Sequence, residues 1–261
     1  MLNFIPTFGA ANTVELFPNS EYAFSYARQM SNTRADTDKV IDVLGTQYDP
    51  TQYAALGQDL RVHGIIDQSG KGNDGTYANQ GNGVDTHAKF LAGTIEQRVI
   101  NQTGTASRLT LNVPISIPNG TAYTLAAVVT GSETIPIAGN HGAASGHHTR
   151  ATGSTRVFTK WEGQDRAIFN AVLSDATPRL LVIVGDSGTN LKVYLNGVLV
   201  PTERNDVSYN IDITDVHNSY VSNNDAGSGM IETMLWKEEF DQTKVTSYYN
   251  HINSKYQGIL V

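Results

Sequence analysis

"LKVYLNGVLV", residues 191–200, decides how the rest of the chain is read. Apolar and β-branched residues flank Asn196-Gly197 on both sides. Asn-Gly tolerates positive φ at both central positions of a mirror-image two-residue turn, whose twist matches that of paired strands. The segment predicts a β-hairpin. Working outward, "TLAAVVTG" (124–131), "TRVFTKWEG" (155–163), "RAIFNAVL" (166–173) and "RLLVIVGD" (179–186) read as successive strands. Gly, Asn, Asp and Pro separate them, the punctuation of an all-β chain. "KVIDVLG" (39–45) and "GMIETMLWKEEF" (229–240) extend the pattern to both ends.

The bulk numbers agree with one large sandwich. The 261 residues suit a single β domain of generous size. A formal charge of -7 with no Lys or Arg run argues against a nucleic-acid partner, which calls for a basic field. With no cysteine, neither a disulfide framework nor a thiolate metal site is available. No window approaches the roughly 18 apolar residues of a membrane span. The first residues lack a basic region followed by an unbroken apolar run, so synthesis in a cytoplasm without a signal peptide is expected.

Residues 1–19 read as an arm, and the remainder, 20–261, as the folded domain. Leu2, Phe4, Ile5 and Phe8 lie in the arm between Pro and Gly and need a surface to cover them, which makes them docking candidates. "NSEYAFSYARQM" (19–30) sets Phe24, Ala27 and Met30 at helical spacing behind an Asn19 or Ser20 cap, so a short helix is expected there. "YDPTQYAALGQD" (48–59) reads as a further helical turn closed by Gly57. In "DQTKVTSYYNHINSKYQG" (241–258), an Asp241 cap precedes Val245, Tyr248 or Tyr249, Ile252 and Tyr256, predicting a C-terminal helix.

"GIIDQSGKGNDGTYAN" (64–79) is dense in Gly, Asp and Asn and has two readings. Asp67 and Asp74 could offer carboxylate oxygens to calcium, although no Glu stands at the twelfth position of an EF-hand loop. In the other reading, which we prefer, Asp67 and Asn73 bond their own backbone while Gly70, Gly72 and Gly75 supply unusual φ values. The segment then turns a corner.

This motif carries a resemblance. "EYAFSYARQMS", "KVIDVLG" and "VHGIIDQSGKGNDGTYAN" together resemble a pattern in bacteriophage virion proteins with a laminin G-like domain, and in the catalytic domain of family B arabinofuranosidases. "YTLAAVVTGSETIPIAGNHG" and the closing "KVYLNGVLV", "GSGMIETMLWKEEF" and "DQTKVTSYYNHINSKY" also look like laminin G-like domains. The resemblance implies an all-β concanavalin-like jelly-roll sandwich with an extended arm and short peripheral helices. Ile66 stands where the pattern has an aromatic residue, and Asp42 and Val43 replace an expected arginine pair. No glycosidase carboxylate falls on a matching position.

Candidate recognition residues cluster in two segments. "KWEGQDR" (160–166) brings Trp161, Glu162, Gln164, Asp165 and Arg166 to a turn, where an aromatic ring beside polar groups suits a sugar. The bland alternative buries Trp161 in the core. "GNHGAASGHHTR" (139–150) places His141, His147 and His148 in a loop, read as exposed rather than as a metal site. Trp236 is a further stacking candidate. For hydrolysis, the carboxylate sets worth testing are Glu162 with Asp165, and Glu232 with Glu238 and Glu239. The expectation is a non-enzymatic bacteriophage virion protein attached to capsid or tail. Its arm would meet other virion proteins or sister subunits, and its loops would face a host glycan. A glycoside hydrolase and a free carbohydrate-binding module are the alternatives.

Overall fold

The structure, a computed structural model, describes residues 19–25, 29–33, 40–42, 60–65, 67, 69–77, 89–90, 99–100, 109–130, 135–140, 148–152, 156–161, 164–170, 177–185, 191–205, 210–216, 229–255 and 260. Seven short strands come first: β1 (Tyr22–Ser25), β2 (Gln29–Thr33), β3 (Val40–Asp42), β4 (Leu60–Ile65), β5 (Gly75–Tyr77), β6 (Lys89–Phe90) and β7 (Val99–Ile100). Then come β8 (Leu109–Ile117), β9 (Tyr123–Thr130), β10 (Ile135–Gly139), β11 (His148–Thr152), β12 (Arg156–Trp161) and β13 (Gln164–Asn170). The last set is β14 (Arg179–Gly185), β15 (Leu191–Leu195), β16 (Val198–Leu199), β17 (Thr202–Asn205), β18 (Ile211–Val216) and β19 (Gly229–Trp236). A helix, α1 (Gln242–Lys255), follows.

Among the described residues all pairings are antiparallel, and they build a two-sheet sandwich. In the first sheet the order is β16, β15, β14, β9, β19, with β1 and β7 sharing the far side of β19. The second runs β17, β13, β12, β11, β10, β18, β8, β5, β4, β2, β3. β6 pairs with both β4 and β7 and so joins the two at one side.

Burial separates the sheets. Along β14, Leu180 to Val184 are buried without alternation, and so are Leu125 to Val129 on β9. Such runs imply cover on both faces. One cover is the opposing sheet. The other is α1, whose Val245, Tyr248 and Ile252 have no exposed area and are spaced as one helical stripe. On β18, by contrast, buried Ile211 and Ile213 alternate with half-buried Asp212 and Thr214.

Local chemistry matches the sequence at both ends of this layer. Asn196 and Gly197 adopt φ of 49° and 80°, the mirror-image turn, and the Asn196 side chain accepts a hydrogen bond from the Leu180 amide at 2.8 Å. Asp241 caps α1 by accepting from the Lys244 amide at 2.8 Å. Tyr248 is the tyrosine that enters the core, while Tyr249 packs beside Gly197.

One expectation is corrected. Residues 19–30 do not form a helix: Tyr22–Ser25 is β1, hydrogen-bonded along β19, and Gln29 begins β2. Helical spacing of three apolar residues is a weak signal, and two sheet edges with unpaired backbone outcompete it. The expected helical turn at 48–59 and the arm residues Leu2, Phe4, Ile5 and Phe8 lie outside the described residues.

Candidate functional site

Ladder register shows which sequence candidates come together. Gly139 at the end of β10 pairs with His148 at the start of β11. His148 pairs with Lys160, and Lys160 with Asp165. Gly139 also pairs with Asp215 of β18. Asp215, Gly139, His148, Lys160 and Asp165 therefore form one row across five strands, at about 4.8 Å per step. Trp161 pairs with Gln164 one position further on. The "GNHGAASGHH" link and the "KWEGQD" turn thus arise side by side at one end of one sheet. Arg166 follows on β13. His141, His147 and Glu162 lie outside the described residues.

Asp215 anchors the row from the core side. It is 2 % exposed and accepts hydrogen bonds from the hydroxyls of Thr110 at 2.9 Å and Thr214 at 2.8 Å. A buried carboxylate is stable only when its lone pairs are met by donors, and both hydroxyls serve that end. Register shifts at Pro136/Ala138 and Thr159/Lys160 bend the strands that carry the two links.

The Asp67 corner is spent on architecture. Asp67 Oδ1 accepts from the Ser69 amide at 2.9 Å, and Oδ2 from the Ser69 hydroxyl at 2.8 Å and the Asn73 amide at 3.0 Å. Asp74 Oδ1 accepts from the Asp67 amide at 2.8 Å. Gly70 and Gly72, at φ of 78° and 79°, give the loop a curvature L side chains rarely adopt. Three N–H groups and a hydroxyl thus meet the Asp67 and Asp74 carboxylates, an arrangement suited to a turn. Asn73 then donates from Nδ2 to the Glu21 carbonyl at 2.7 Å, and the Glu21 amide donates to the Leu235 carbonyl at 2.7 Å. Through the Glu21 peptide the corner ties β4 and β5 of one sheet to β19 of the other.

Glu232, Glu238 and Glu239 do not share a site. Glu232 is 1 % exposed beneath α1, with the Tyr248 hydroxyl donating to Oε1 at 3.4 Å. Burial, then the charge and hydrogen bond of Glu232, hold the Tyr248 phenol well above its usual pKa. Trp236 has no exposed area; its ring lies 4.7 Å from Phe240 and 5.2 Å, edge-on, from Tyr248, so it is core and not a stacking platform. Glu238 pairs with Lys244 at 2.7 Å and Glu239 with Lys192 at 2.9 Å, both at the surface. Sequence reasoning missed Asp215 and the burial of Glu232; neither stands in a motif.

Among the described residues no three His, Asp or Glu side chains gather as a metal site, and no helix is long and apolar enough to cross a membrane.

No family model and no curated protein matches the chain. Solved structures do. The chain is similar to a GH54 α-L-arabinofuranosidase soaked with 4-nitrophenyl α-L-arabinofuranoside, at TM-score 0.60 and 16 % identity over 92 % of this chain and 62 % of that one. An arabinofuranosidase complexed with arabinofuranosyl-α-1,2-xylobiose gives TM-score 0.60, 14 % identity and the same coverage. The botulinum neurotoxin serotype G binding domain gives 0.50 and 14 %, over 90 % of this chain and 52 % of that chain. The likeness establishes the all-β sandwich, and the chain spans less than two thirds of each of these proteins.

Proposed function

We propose that the chain is a recognition component of a bacteriophage virion. It is a concanavalin-like sandwich attached to capsid or tail through its apolar first segment, and it presents a glycan-binding surface at the paired "GNHGAASGHH" and "KWEGQDR" links. The register row from Asp215 to Asp165 carries this reading. It brings a His-rich link and a turn dense in Trp and charged residues to one end of the sandwich, where such scaffolds place binding functions. Trp161, Glu162, Gln164, Asp165, Arg166 and His141 are the residues assigned to the sugar.

In this reading the chain binds and does not cleave, and it needs no cofactor. Hydrolysis calls for two carboxylates about 5–9.5 Å apart with substrate between them. Glu232 is sealed under α1, Asp67 and Asp215 are engaged by donors within the fold, and Glu162 and Asp165 are read as hydrogen-bonding the sugar rather than as an acid and nucleophile. The virion setting rests on the resemblance of "DQSGKGNDGT" to phage laminin G-like proteins.

Mass spectrometry of gradient-banded particles from the source lysate tests the proposal. The intact chain in fixed copy number supports it, and loss of glycan-array binding in Trp161→Ala would place the sugar. Absence from particles sinks it. A second reading, glycoside hydrolysis, draws on the 92 % coverage of this chain by the arabinofuranosidase fold.

A further inference from the structure

Val198 and Leu199 are 70 % and 53 % exposed, neighbours on the two-residue edge strand β16. Isolated exposed apolar side chains need no explanation, but an adjacent uncharged pair on a sheet edge leaves backbone groups and apolar surface open to a further strand. The turn carrying the pair is anchored. Val200 N donates to Val193 O at 2.8 Å, Gln242 Nε2 donates to the Gly197 carbonyl at 3.0 Å, and Tyr249 lies against Gly197. "VLVP" (198–201) carries no charge. Among the described residues β16 has one strand partner, β15.

We propose that this edge receives the uncharged apolar segment Met1–Val14 of a neighbouring copy of the chain. Residues 1–14 hold Leu2, Phe4, Ile5 and Phe8 and no charged side chain, so the segment and the edge are matched in chemistry. The described chain begins at Asn19, leading into β1. Val198, Leu195, Leu181, Ala127, Thr233 and Phe24 lie in one register row, so donor and receiving edges are opposite sides of the same sheet. Five steps separate them, about 24 Å. A chain's own segment, roughly 50 Å long from Phe4 to Asn19 when extended, spans that distance only by crossing the face that α1 occupies. A neighbour's segment docks directly by adding to the edge. Giving at one edge and receiving at the other is a heterologous, head-to-tail contact, which generates rings or filaments of copies. The inference deepens the attachment part of the proposed function by naming the receiving surface.

The test uses the full chain with a photo-crosslinker at Phe4, mixed from heavy- and light-isotope preparations. Crosslinks from Phe4 to residues 198–201 joining heavy to light chains are expected, with concentration-dependent association by sedimentation. Val198→Asp with Leu199→Asp, both at exposed positions, should weaken association by about tenfold or more while the melting curve is kept. Crosslinks confined within one chain, a monomer at all concentrations, or unchanged association of the double variant would each overturn it. A chain that self-associates this way yet is absent from particles keeps this inference and sinks the virion reading. A chain present in particles whose Phe4 crosslinks only to other virion proteins does the reverse.

Discussion

Asp67 and Glu232 are both buried carboxylates, 6 % and 1 % exposed, yet the chain holds them in opposite ways. Asp67 sits in a loop and is satisfied mainly by backbone amides within six residues. Glu232 sits mid-strand, and its tyrosine partner arrives from a helix 16 residues later. The first is local chemistry written into one motif. The second exists only once α1 has folded over the sheet.

The largest expected effect falls on the helix side. Trp236→Ala removes the ring on which Phe240 and Tyr248 pack and should cost about 3–5 kcal/mol in a urea melt. A loss under 1 kcal/mol would show that the aromatic cluster does not hold α1 down. Asp67→Asn comes next. The amide's NH2 would face donors that now meet a carboxylate, costing roughly 1–3 kcal/mol by the same assay. An unchanged midpoint would break the corner account.

Alkaline titration bears on the helix side and not on the Asp67 corner. Burial raises the Tyr123 phenol and the Tyr248 phenol in the folded state. Their contribution is fully present below the unfolded value near 10 and falls as pH rises beyond it, because the unfolded chain then sheds protons the folded chain retains. Stability should decline by about 1 kcal/mol per tyrosine between pH 10 and 11. Tyr248→Phe should flatten that slope, whereas Asp67→Asn should leave it unchanged. The smallest effect concerns calcium: millimolar calcium and EDTA should give the same melting temperature, and a calcium-dependent rise lost in Asp67→Asn would restore the cation reading of the corner.

These regions also mark what the sequence discloses. The Asn196-Gly197 turn, the Asp241 cap and the Asp67 corner were legible because each is a local contest between side chain and backbone. The β1 strand reads as helix because its partners on β19, from Leu235 opposite Tyr22 to Glu232 opposite Ser25, lie at the far end of the chain and leave no local trace. The burial of Glu232 leaves no sequence trace because its cover, α1, is laid over that face only in the folded chain. The row linking His148, Lys160 and Asp165 was hidden because two register shifts intervene in the strands that form it.

We propose that the buried carboxylates serve the fold and that the chain binds without cleaving. Turnover of 4-nitrophenyl α-L-arabinofuranoside by the intact chain tests it most directly. Release at the rate of the buffer blank is predicted. Release above the blank that disappears on changing one carboxylate would contradict the account and assign the sandwich to hydrolysis.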